Sequence, residues 1–143
     1  MRAREHLGPS REQLRELLEV LHRQIEVAAT PRQKINLYER VAALHDEEFL
    51  DHAHAAEALE AILAIDAAND GALTALARHY RALDKWEPVV ALYEKHATVT
   101  TDSNRQIEII LAKARTLAEQ IGSPERAMKT YEQVLSLVPS HAG

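Results

Sequence analysis

The chain contains no cysteine, four glycines, five prolines and only 4% aromatic residues. Without cysteine there is no disulfide framework, no zinc–thiolate centre and no thiol nucleophile. Glycine is too sparse for a phosphate-cradling loop, and no nucleophile elbow is present. Apolar runs stay well short of the ~18 residues of a membrane span. The opening residues, MRAREHLGPSRE, lack the apolar core of a secretory signal, so a cytoplasmic location is expected. Basic charge is also short. Seventeen Lys plus Arg face 22 Asp plus Glu, for a formal net charge of -5. That balance argues against a nucleic-acid binder, whose affinity comes from neutralising phosphates.

What is abundant is Ala, Leu, Glu and Arg, the residues that lose least on entering a helix. With 143 residues and 46% hydrophobic content, the chain can bury a sizeable apolar core without staples. Turn signals fall at Gly8-Pro9-Ser10, Thr30-Pro31, Leu50-Asp51, Asn69-Asp70-Gly71, Asp84-Lys85, Thr100-Thr101-Asp102, Gly122-Ser123-Pro124 and Pro139. Between them, apolar residues recur every three or four positions. Seven helices are expected, over about 10–28, 31–48, 52–65, 70–83, 86–98, 102–121 and 124–137. Ser10 with Gln13 and Thr30 with Gln33 have capping-box spacing, and Pro31 and Pro124 suit first helical turns. Links of a few residues fold consecutive helices into antiparallel hairpins.

The chain also repeats. Residues 14–71 lie over 86–143 at a shift of 72, pairing Val27 with Val99, Ile35 with Ile107, Ala42 with Ala114, Ala55 with Ala127 and Leu63 with Leu135. The apolar stripes align as well, with Leu17-Leu18 over Val89-Val90 and Ile62 over Val134. Repeated hairpins bury their faces on their neighbours rather than around one centre.

The segment from Asp51 through Asp66, with Ala55, Ala58, Leu59 and Ile62, resembles the second helix of a tetratricopeptide repeat. Ser123 through Leu135, closing at Pro139, is similar to the same element. Leu73, Leu76, Ala77 and Tyr80 match the large, large, small, large pattern of the first helix, echoed by Tyr38, Val41, Ala42 and His45. Lys113 stands where that pattern has a large apolar residue. Val89 and His96 replace second-helix alanines, and Ala67 and Thr101 replace a proline. HEAT-like and other helical-hairpin repeats share the coarse pattern and stay as alternatives. The resemblance implies an all-α fold, a right-handed α-α superhelix. Its domain covers residues 10–143 after an N-terminal segment 1–9, with an unpaired helix 10–28 and hairpins 31–65, 70–98 and 102–137. Such a register leaves uncovered ends, as in a piece of a longer array or in molecules that stack end to end.

In the resembled family the inner surface is lined by first-helix residues off the packing stripe. These map to Asn36, Glu39, Ala43, Asp46 and Glu47, to Thr74, Arg78 and Arg81, and to Glu108, Leu111, Arg115 and Glu119. Acidic residues dominate from Glu39 to Asp70, and Arg78, Arg81 and Arg115 follow. A groove so charged would orient a partner's peptide or helix. The Lys, Asn and Arg set that clamps chaperone tails in this family is missing. Eight histidines are many for this length. His45 lies on the apolar stripe, while His52 and His54 diverge on a helix, so no metal site and no cofactor are expected. No pair of carboxylates is fixed across a cleft, and no catalytic residues are assigned. The expected function is a non-catalytic protein-interaction scaffold, without nucleic-acid or membrane partners. The alternatives are a structural spacer or self-assembling segment and, less favoured, a metal-dependent enzyme using His45, His52 and His54.

Overall fold

The computed structural model describes residues 8–138. Among them are seven α-helices and no strand. The N-terminal segment 1–9 and the stop at Pro139 lie largely outside the described residues. The chain divides after Ile65 into two compact units.

The first unit holds α1 (Arg11–Val27), α2 (Pro31–Glu47) and α3 (His52–Ile65), with α2 packed against both neighbours. Both expected capping boxes form. Ser10 Oγ accepts the Gln13 N–H at 3.2 Å, and the Gln13 side chain accepts the Ser10 N–H at 2.8 Å. Thr30 and Gln33 repeat the exchange, with Pro31 at the first helical position. These bonds occupy N–H groups that a helix start leaves without partners. Leu14, Leu21 and Ile25 form the buried stripe of α1, Val41 and Ala42 that of α2, and Ala55, Ala56, Ala58, Leu59 and Ile62 that of α3.

The second unit holds α4 (Asp70–Ala82), α5 (Trp86–Val99), α6 (Ser103–Thr116), a π turn over Leu117–Ile121 and α7 (Pro124–Leu137). α5 packs on α4 and α6, and α7 packs on α6. One apolar cluster joins Ala97, Ile109, Ile110 and Val134; another joins Val90, Leu117 and Ala127. The departures from the alanine pattern are absorbed here. Val89 is fully buried, and buried His96 has a polar partner. Lys113 sends its ammonium to Glu94 at 2.7 Å while the rest of its side chain stays largely covered.

Two expectations are corrected. The sixth helix leaves α geometry at Leu117, and its last five residues form the π turn. In α7 the buried face is Ala127, Thr130 and Val134, while Tyr131 and Leu135, expected inward, are exposed. Thr130 can go inside because its hydroxyl donates to the Arg126 carbonyl at 2.9 Å.

The 72-residue repeat is legible in the corners between helices. The Asp51 N–H donates to the His45 carbonyl at 2.8 Å, and the Ser123 N–H donates to the Leu117 carbonyl at 2.8 Å. Each bond spans a residue in the left-handed region, Leu50 at φ 51° and Gly122 at φ 77°. Each bond joins residues six positions apart, one residue wider than the six-to-one closure of a Schellman stop. Asp51 and Ser123 then cap the next helix, accepting from the His54 and Arg126 N–H groups. Glycine enters that conformation freely, and leucine does so under strain. Replacing Gly122 by Ala should therefore destabilise by about 1 kcal/mol. Leu50→Gly, at a side chain 76% exposed, should stabilise by a similar amount, about 1 kcal/mol. Denaturant unfolding of both variants checks the opposed signs.

Candidate functional site

The second unit carries a cleft of about 180 Å³ lined by Thr74, Ala77, Arg81, Tyr93, His96, Arg105, Glu108, Ile109 and Ala112. Thr74, Ala77 and Arg81 lie along one face of α4, and Arg105, Glu108, Ile109 and Ala112 along one face of α6. Tyr93 and His96 come from α5. Arg81 Nη1 donates to the Tyr93 hydroxyl at 2.5 Å. Arg105 donates to Thr74 Oγ1 at 3.1 Å and lies 3.6 Å from Asp70 and 3.8 Å from Glu108. The buried His96 ring donates its Nε2–H to Asp70 at 2.6 Å, since a carboxylate can only accept. That bond, ahead of the Arg105 charge, holds the Asp70 carboxyl below its usual range.

Of the residues expected to face a partner, this cleft gathers Thr74, Arg81 and Glu108. Arg78 is exposed on α4 with its guanidinium 3.4 Å from the His79 ring; Arg115 and Glu119 are exposed further along. In the first unit, Asn36 lines a cleft of about 550 Å³ with Gln24, Val27 and Gln33. Glu47 lines a separate one of about 220 Å³ with Leu17, Leu21 and Arg40. Glu39 is exposed and Asp46 half-buried. The sequence reading missed Arg105, Tyr93 and His96. Arg105 was within reach, because it precedes Glu108 and Ile109 by one helical turn. Tyr93 and His96 read as packing residues, and only the meeting of α4 with α5 shows their polar ends.

A second group of side chains sits at the corner between α2 and α3. His45, Asp51 and His54 each offer a nitrogen or oxygen, all within 4.8 Å of one another. Spacing along one helix could not show this, because the turn at Leu50 brings residues of two helices together. Asp51 accepts from the His54 N–H at 3.0 Å and meets His54 Nδ1 at 2.6 Å. The His45 and His54 rings stack at 5.1 Å, and Phe49 flanks His45 at 5.8 Å. Burial, then the neighbouring His54, holds His45 below the ordinary histidine range, opposed by Asp51. The backbone bond from His54 is the first cause of the lowered Asp51 pKa. These groups adjoin a cleft of about 280 Å³ lined by His22, Tyr38, Val41, His45, His54, Glu57 and Ala58.

Short helices joined by tight corners, two of them closed by the same wide backbone hydrogen bond, are consistent with a helical repeat. A family model described as tetratricopeptide repeat matches residues 72–107, spanning α4, α5 and the start of α6, which supports the resemblance read from the residues. Comparison with curated proteins and with solved structures gives no match. Repeats of this kind point to a protein-interaction scaffold and are typically non-catalytic. Among the described residues no helix is long and apolar enough to cross a membrane.

The Asp70–His96 bond yields a pH test. A carboxyl whose pKa is lowered by folding contributes stability above its unfolded pKa, and that contribution is lost as pH falls through the folded value. Asp70→Ala should destabilise by roughly 1–3 kcal/mol at neutral pH, by leaving the buried His96 donor without its acceptor. The gap to the parent should narrow as acid protonates Asp70, which thermal melts across the acid range would reveal.

Proposed function

We propose that the chain is a non-catalytic, cytoplasmic scaffold whose second-unit cleft receives an acidic segment of a partner protein. One observation carries this reading: two guanidinium groups, Arg81 and Arg105, line one cleft beside apolar Ala77 and Ile109. Arg81 is braced by Tyr93 and Arg105 by Thr74, so both forks are oriented before a ligand arrives. Oriented guanidinium groups match carboxylates in two-point contact, and the apolar floor accepts intervening side chains. Thr74 and Glu108 supply the polar rim. Asn36, Glu39, Asp46, Glu47, Arg78, Arg115 and Glu119 are proposed as further partner-facing positions, each on the unit that carries it. The repeat match supports recognition of a protein rather than a small substrate.

The test is affinity capture from the native host with the parent chain and with an Arg81→Gln, Arg105→Gln variant as baits, since glutamate at 105 would meet Asp70 and Glu108. The variant should lose the captured partner while its Tm stays within about 2 °C of the parent. Undiminished capture, or a matching collapse of stability, would overturn the assignment.

A second reading, self-association, is favoured by Met128, Tyr131 and Leu135. These follow one another at helical spacing along the exposed side of α7 and are 61%, 40% and 72% exposed. Light scattering should then show a mass rising with concentration for the parent and constant for Leu135→Glu; a parent mass that never rises would count against it.

A further inference from the structure

We propose that His45, Asp51 and His54 form a binding site for one divalent transition-metal ion of the zinc class. Each contributes one donor atom, and the three donors already lie within 4.8 Å of one another. Ligands of a tetrahedral zinc ion sit about 3.3 Å apart for bonds near 2.0 Å, so small side-chain rotations complete the set. Two imidazoles and a carboxylate suit such an ion, and leave a fourth position open. His22 and Glu57 line the cleft that His45 and His54 also line.

An independent observation points to a missing ligand. His45 Nδ1 is buried and has no hydrogen-bond partner among the described residues. A buried polar atom without a partner costs roughly 1–3 kcal/mol. A metal ion bound at this corner would satisfy it.

The internal repeat supplies a third argument. The positions 72 residues later hold Leu117, Ser123 and Arg126 in place of His45, Asp51 and His54. There the backbone makes the same closing hydrogen bond and the same cap, with Leu117 1% exposed in an apolar cluster. The corner therefore needs neither histidine in order to fold. In the first copy all three positions carry metal-ligating side chains, and one of them leaves a nitrogen without a partner.

These counterpart residues also give substitutions compatible with folding. The full 143-residue chain, free of any histidine tag and stripped with chelator, would be titrated with Zn²⁺ by calorimetry and with Co²⁺ by visible absorption. The parent should bind one equivalent of Zn²⁺, gain Tm on binding, and develop the absorption of low-symmetry Co²⁺ with nitrogen ligands. His45→Leu and His54→Arg should weaken binding by about tenfold or more and remove the Co²⁺ band. Asp51→Ser should weaken it too while keeping the cap. His45→Leu should also raise the Tm of the metal-free chain, which separates loss of a ligand from loss of the fold. Glu26→Gln, at an exposed carboxylate near the C-terminal end of α1, should leave affinity within about twofold of the parent. Absence of uptake by the parent, uptake that survives His45→Leu and His54→Arg, or uptake lost with Glu26→Gln would each overturn the proposal.

Discussion

One backbone hydrogen bond across a left-handed residue closes the corner between α2 and α3 and, repeated, the corner between α6 and α7. The Asp51 N–H to His45 carbonyl bond, and its counterpart from Ser123 to Leu117, force the chain through a left-handed residue and reverse it within a few positions. The residue that closes one helix then opens the next, because Asp51 and Ser123 are both the donors of that bond and the caps that follow. Stop and start are one device. Small residues then let the paired helices approach: Ala42 and Ala55 are buried in the first unit, and their counterparts Ala114 and Ala127 in the second. Where these corners stand, the facing sides of the helices follow.

The same device explains why chemistry gathers where it does. A corner brings the last turn of one helix against the first turn of the next, so side chains distant on a helical wheel meet there. In the second unit the meeting is apolar, with Leu117 and Ala127 in one cluster. In the first it is polar, with two imidazoles and a carboxylate. Identical backbone bonds thus carry a packed core in one copy and a set of donors in the other. The Arg81–Arg105 cleft arises differently: α4 and α6 both pack on α5, and their polar edges converge over Tyr93 and His96.

Much of the helical layout was legible in the residues. Capping boxes at Ser10 and Thr30, prolines in first turns and glycine after Ile121 act over one turn of chain, so their physics is local. The stripe of α4 was equally plain, and that of α1 holds at Leu14, Leu21 and Ile25, whereas Leu17, expected on it, is exposed. Tyr131 and Leu135 misled because a helix face is defined only to within about one residue by apolar spacing, and Thr130 hides its hydroxyl in its own helix. Leu50 gave little sign of a left-handed stop, since leucine is rare in that conformation.

By itself, the sequence determined an all-helical chain of seven segments, a 72-residue repeat and the resemblance to tetratricopeptide repeats, because helix propensity, capping and periodicity act between residues a few positions apart. Only the tertiary structure decided that His45 meets Asp51 and His54, that Arg81 shares a cleft with Arg105, and that His96 is buried against Asp70. Those encounters depend on how far one helix rotates against the next, and that rotation is set by packing between elements rather than by any pattern within one of them.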